Sequence, residues 1–92
     1  MSIVTGSLVL ATAGRDKDGI FLVLQTDGVY CYMANGRERK AENPKKKKLK
    51  HIRPVGIASE EILEKLTNGI SLTNAEIRRS IRRFAEDGEP QL

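Results

Sequence analysis

The sequence predicts a mainly β protein of the α+β class: a small, strongly bent barrel followed by a C-terminal pair of short α-helices. Three observations predict it. From Ser7 to Val55, short aliphatic runs alternate with glycine-bearing turns, the pattern of successive strands. These strands occupy only about 55 residues, too few for a two-sheet sandwich of ordinary size, so one bent sheet buries a core best. Beyond Gly56 the apolar residues recur at helical spacing behind capping residues. On this reading residues 1–56 form the barrel with a basic loop, and residues 57–92 form a helical C-terminal appendage.

Each element has a local reason. Ser7–Ala13 is an aliphatic, β-like run, and Gly14–Gly19 interrupts it as a hairpin loop. Ile20–Leu24 is apolar throughout; its shortness and its β-branched and aromatic content favour a buried strand. Asp27-Gly28 is a tight-turn signal, Val29–Ala34 reads as the third strand, and Asn35-Gly36 repeats the turn chemistry. Asn43-Pro44 breaks regular structure. The lysine run after it reads as an extended loop leading into a strand over about His51–Val55; Leu49 and Ile52, three apart, do not fit strict alternation. Ser59 caps a first helix, with Glu60 and Glu61 in its first turn and Ile62, Leu63 and Leu66 on its apolar face. Asn68-Gly69 ends it, glycine taking the left-handed position. Thr73 and Glu76 have capping-box spacing. Ile77, Ile81 and Phe84 then form one stripe of a second helix, which Gly88 and Pro90 stop. Two helices this short do not fold alone and need the barrel or a partner to pack on.

Composition narrows the function classes. A chain of 92 residues with 39% hydrophobic content holds one domain with a modest core and is too apolar to be wholly disordered. No apolar run approaches the roughly 18 residues of a membrane span, and Met1–Gly6 lacks the basic segment of a secretory signal. Cys31 is alone, which excludes an internal disulfide and a cysteine-based zinc site and suits a reducing cytosol. Its expected role is that of a small core hydrophobe. His51 is the single histidine and has no partners at ligand spacing, so neither a metal nor another cofactor is expected. No Ser, His and Asp arrangement and no phosphate-binding P-loop is present, and the expectation is a protein that is not an enzyme.

The charge is unevenly placed. The window Arg37–Arg53 holds nine basic residues against Glu38 and Glu42, a balance of +7, which leaves −3 for the rest of a chain whose net charge is +4. A mildly acidic protein thus carries one strongly basic strip, the footprint of a localised polyanion contact. The plainer reading is that consecutive lysines are solvated, or keep a sheet edge from pairing.

A family resemblance sharpens this. Gly6-Ser7-Leu8-Val9-Leu10 followed by Ala13-Gly14-Arg15-Asp16-Lys17 resembles a KOW motif. Asn35-Gly36-Arg37 and then Asn43-Pro44-Lys45-Lys46-Lys47-Lys48-Leu49-Lys50-His51 resemble the bacterial KOW-domain RNA-binding proteins, relatives of large-subunit ribosomal proteins of the archaeal and eukaryotic type. The match covers about Gly6–Val55, and the tail from Ser59 is also similar to those small bacterial members. The family pattern places glycine directly after the loop lysine; here Asp18 stands there, with Gly19 next. That departure either weakens a phosphate contact or shifts the turn by one residue. The resemblance implies an SH3-like barrel, RNA binding in the cytoplasm, and association with ribosomal RNA or the ribosome, as a ribonucleoprotein component of translation with ribosomal proteins as further partners.

The candidate contacts follow. Lys45, Lys46, Lys47, Lys48 and Lys50 are point charges suited to phosphate with little sequence preference, and Arg37, Arg39 and Arg53 add bidentate geometry. Structured A-form RNA, read by shape, is the expected target. Arg15 and Lys17 sit at the tip of the first hairpin, where Asp16 and Asp18 either leave them free for an RNA groove or neutralise them. His51 is an RNA contact or a structural hydrogen-bonding residue at the strand start. Tyr30, Tyr32 and Phe21 stack on bases or fill the core, the latter being commoner in so small a barrel. Arg78, Arg79, Arg82 and Arg83 form a second basic face opposite Ile77, Ile81 and Phe84, either for RNA or an acidic protein or merely solvated.

Two function classes therefore stand: a non-catalytic RNA-binding module, and alternatively a protein-interaction adaptor docking an acidic partner. Membrane binding is disfavoured because the lysine run has no adjacent apolar anchor.

Overall fold

The structure is a computed structural model and describes residues 2–87. It is a small α+β fold of five strands, β1 (Ser7–Ala11), β2 (Ile20–Thr26), β3 (Tyr30–Ala34), β4 (Lys45–Lys48) and β5 (Ile52–Ile57), and two helices, α1 (Glu60–Thr67) and α2 (Asn74–Asp87). The strands form one antiparallel sheet in the order β4-β3-β2-β1-β5, so the first four make a meander and the last returns beside the first. The register shifts where Val55 of β5 is left over opposite Leu8/Val9 and where Leu24 of β2 is left over opposite Tyr32/Met33, and such bulges bend a sheet and deepen its twist.

Three strand expectations need correction. The sheet does not close into a barrel by strand pairing, because β4 and β5 remain its two edges. The chain leaves β4 after four residues through a single 3-10 turn, Leu49–His51. Nor is the lysine run a loop: Lys45 to Lys48 pair with Met33, Tyr32, Cys31 and Tyr30 as the edge strand β4. Four lysines carry no apolar alternation, so the strand was hidden from pattern reading. β1 also stops at Ala11, two residues earlier than its composition suggested, because Gly14 (φ +81°) opens the turn.

Why Ile20–Leu24 is apolar without alternation becomes plain from the packing. Strand side chains point to alternate faces, and here both faces are covered. On one face Val9, Ala11, Phe21, Val23, Cys31, Met33 and Ile52 fill the concave interior. On the other, Leu8, Leu22 and Ala34 meet Ala58, Ile62, Leu72 and Ile77 beneath the two helices.

The helices are capped as their sequences require. Ser59 Oγ accepts from the Ile62 N–H at 3.4 Å. Thr73 and Glu76 form a reciprocal capping box, Thr73 N–H donating to Oε1 at 2.9 Å and Glu76 N–H to Thr73 Oγ1 at 3.0 Å. Gly69 takes φ +72° past the end of α1. Leu63, Leu66, Ile81 and Phe84 complete the seam against the sheet, and an ion pair from Lys65 to Glu76 joins the helices. Gly88 and Pro90, to which the stop of α2 was assigned, lie outside the described residues. The helical segment thus shares one core with the sheet.

Candidate nucleic-acid interface

The β1–β2 loop, from Thr12 to Gly19, is where the basic segments converge. Three contacts hold it. The Arg39 guanidinium donates to both carboxylate oxygens of Asp16, from Nε to Oδ1 at 3.1 Å and from Nη2 to Oδ2 at 3.0 Å. Lys47 Nζ donates to the Ala13 carbonyl at 2.8 Å. The Thr12 N–H donates to the His51 carbonyl at 2.9 Å. The strands bracketing these contacts thus bring the β3–β4 loop, β4 and the 3-10 turn around one hairpin tip. Within the tip, Lys17 N–H bonds Gly14, Gly19 N–H bonds Asp16, and Asp18 N–H reaches back to Ala11.

Exposure and ion pairing distinguish the cations of these segments. Arg15 and Lys17 are exposed, and Asp16, which could have neutralised them, is engaged by Arg39. Arg39 is correspondingly a buttress of the loop. Arg37 is exposed in the β3–β4 loop, which Asn35 shapes by accepting the Arg37 and Arg39 N–H groups on its side-chain oxygen. The Asn35 amide also donates to Glu38, the main reason that carboxyl lies below the usual range. Lys50 and Arg53 are exposed. His51 is half-buried, and its observed bond is the backbone one to Thr12.

The lysine strand divides by face. Lys47 lies opposite Cys31 and points inward; only 8% of it is exposed. Its stem runs beneath the sheet edge and its ammonium ends on Ala13, so it is not available to a phosphate. The expectation that Lys47 contacts phosphate along with Lys45, Lys46, Lys48 and Lys50 is corrected on this point, and the reason is the two-residue period of a strand. An inward-pointing charge of this kind also guards an edge strand against edge-to-edge pairing. Lys45, opposite Met33, is half-buried, while Lys46 and Lys48 are exposed on the outer face. Burial pushes the Cys31 thiol up to about 11, against a smaller opposing effect of the Lys47 charge, so it stays protonated and unreactive at neutral pH.

On that outer face Lys46 stands opposite Tyr32, and Lys48 opposite Tyr30. Both tyrosines are half-buried, and the Lys46 ammonium lies 4.5 Å from the Tyr30 ring centroid. Such a cation–π contact is worth about 0.5–1 kcal/mol at an exposed site. The tyrosines therefore do not fill the interior; Phe21 does. The sequence held a signal for this, since Tyr-x-Tyr and Lys-x-Lys share the same period, but only the β3–β4 pairing brings them together.

The second basic face is partly structural. Arg78 Nη1 donates to the Gly36 carbonyl at 2.7 Å. Asn74 accepts the Ala41 N–H and donates to Glu42, each at 2.8 Å, and its amide is the leading reason the Glu42 carboxyl is held below the usual range. These contacts clamp the start of α2 to the β3–β4 loop. Arg79, Arg82 and Arg83 are exposed.

Among the described residues the ion pairs are Arg39–Asp16 and Lys65–Glu76, so the exposed lysines of the strip have no carboxylate at ion-pair distance. Among the same residues, no group of three or more His, Cys, Asp or Glu side chains is placed to hold a metal, and no helix is long and apolar enough to cross a membrane. In comparisons with known proteins, no family model matches the chain and no curated protein matches it significantly.

Proposed function

We propose that the protein is a non-catalytic RNA-binding module that grips the phosphate backbone of structured RNA, acting in association with the ribosome. The observation that carries the reading is the set of exposed cations, Arg15, Lys17, Arg37, Lys46, Lys48 and Lys50, on segments tied to one hairpin loop and unpaired by internal carboxylates among the described residues. Phosphate contact requires such uncompensated charge on a scaffold that holds it in place.

Two features support the KOW resemblance and its SH3-like barrel. The first strand has the second and the last as neighbours in a bulged, bent sheet. Asp18, standing where the pattern has glycine, adopts φ +74°, the left-handed conformation that glycine supplies. A glycine-type backbone conformation at this position is what the resemblance leads one to expect, and with aspartate there the cost falls on local strain and one added negative charge.

The test is binding of the purified chain to a base-paired ribosomal RNA fragment and, separately, to polyglutamate. Tight RNA binding with weak polyglutamate binding is expected. The reverse order, together with cellular partners that persist after nuclease treatment, would replace this reading with that of an adaptor for an acidic protein.

A further inference from the structure

We propose that the outer face of the β3–β4 edge is a stacking subsite for unpaired bases of the bound RNA. The inference rests on the RNA reading above and adds a second kind of contact to it. Its basis is the cross-strand pairing of Tyr30 with Lys48 and of Tyr32 with Lys46, on a strand whose other side has no strand neighbour. Aromatic rings beside cations form the combination that single-stranded nucleic acid needs, with π-faces for bases and charges for the intervening phosphates. Gln25, exposed and opposite Tyr32 on β2, adds a hydrogen-bonding group at the margin.

Spacing selects the occupant. Residues two apart on one strand face lie about 6.8 Å apart. That is twice the roughly 3.4 Å rise of stacked bases along one strand. Tyr30 and Tyr32 therefore fit splayed bases of an unpaired segment better than neighbours inside a duplex. One face of the Tyr30 ring is covered by the exposed Lys46 side chain, whose ammonium lies 4.5 Å from the ring centroid. A base takes its place, and the freed lysine turns to the adjoining phosphate. An acidic peptide would satisfy the lysines and leave the paired rings unused.

Fluorescence reads this surface directly. The chain has two tyrosines and no tryptophan, so its intrinsic tyrosine emission comes from Tyr30 and Tyr32. A short single-stranded RNA should quench that emission, while inorganic polyphosphate should bind with little quenching. Replacing both residues, Tyr30→Leu with Tyr32→Leu, should weaken the single-stranded RNA about tenfold or more per stacked base and leave polyphosphate binding unchanged. RNA that binds without quenching, and equally well to the double variant, would overturn the subsite and leave the phosphate reading standing. Failure to bind any RNA would overturn both. Quenching by polyglutamate at comparable affinity would make the face a protein-docking surface instead. The quenching readout uses the unaltered chain, so it stands even if the double variant folds poorly.

Discussion

Lys47 offers the sharpest division between architecture and binding, because its neighbours in the sequence are chemically identical to it. The Lys47→Ala change removes a charge-assisted hydrogen bond to Ala13, worth about 1.5–3 kcal/mol. It also removes three largely buried methylenes, at about 0.8 kcal/mol each. Releasing the ordered side chain returns up to about 1.5–2 kcal/mol of conformational entropy. The net loss is about 2–4 kcal/mol, a large part of the roughly 5–14 kcal/mol expected of a chain this size. Lys47→Met keeps most of the stem and should cost about 1 kcal/mol. Lys48→Ala should stay within about 0.5 kcal/mol of the parent, and Lys46→Ala, which loses the cation–π contact to Tyr30, within about 1 kcal/mol. Urea denaturation measures all four. RNA affinity, taken where each variant is fully folded, should run the other way. Each exposed lysine in phosphate contact is worth about fivefold at 0.15 M salt, whereas Lys47→Met should bind within about twofold of the parent. Equal stability across the four variants, or an affinity loss in Lys47→Met matching that of Lys46→Ala, would refute the inward placement of this side chain.

Other consequences can be checked in the same way. Asp18→Gly should raise stability by about 0.5 kcal/mol, and the melting temperature by about 2–4 °C, because relief of a left-handed residue outweighs the added freedom of the unfolded chain; a lower melting temperature would mean that the carboxylate itself braces the loop. A double-mutant cycle of Arg39→Ala and Asp16→Ala should give a coupling of about 1 kcal/mol, in keeping with a bidentate but partly hydrated pair whose side chains are 28% and 11% exposed; a coupling near zero would remove this tie between the loops. The Glu76 carboxyl is held down by the Lys65 hydrogen bond and then the Thr73 N–H, Glu42 by Asn74, Glu38 by Asn35, and Asp27 by the N–H groups of Tyr30 and Val29. Lowered carboxyl pKa values stabilise fully above the unfolded values, 4.5 for glutamate and 3.8 for aspartate, and that stabilisation is lost as pH falls through the lower folded values. Lys65 is raised by Glu76, so its share is present below 10.5 and lost as pH rises through its higher folded value. The melting temperature should therefore be level from about pH 6 to 9 and fall on both flanks; a steep fall within that window would contradict these assignments.

How much was legible in the sequence depended on whether a signal was local. Both helix caps, the left-handed Gly69 and the apolar stripes of α1 and α2 rest on residues within four positions of one another, and each is in place. The first three strands were readable because aliphatic runs and glycine turns bound them. β4 was not, since a strand of four lysines has no apolar alternation to betray it, and only its pairing with Tyr30–Met33 makes it one. The division of the basic strip followed from that omission. Once Lys45–Lys48 is a strand, alternate lysines must face opposite sides, and Lys47 meets the interior. The Arg39–Asp16 pair spans 23 positions and the Lys47–Ala13 bond 34, separations at which no local pattern exists. The charge total thus located the candidate surface, while the tertiary contacts decided which of its cations face outward.

The central claim is that exposed cations around the first hairpin hold RNA by its phosphates, and counterion release measures this most directly. For four to six contacts, log K against log salt should fall with a slope of about −3.5 to −5.5 on a structured RNA. Lys46→Ala with Lys48→Ala should flatten it by about 1.8, and Lys47→Met should leave it unchanged. A flat plot for the parent chain, or a slope that responds to Lys47 and not to Lys46 and Lys48, would contradict the account.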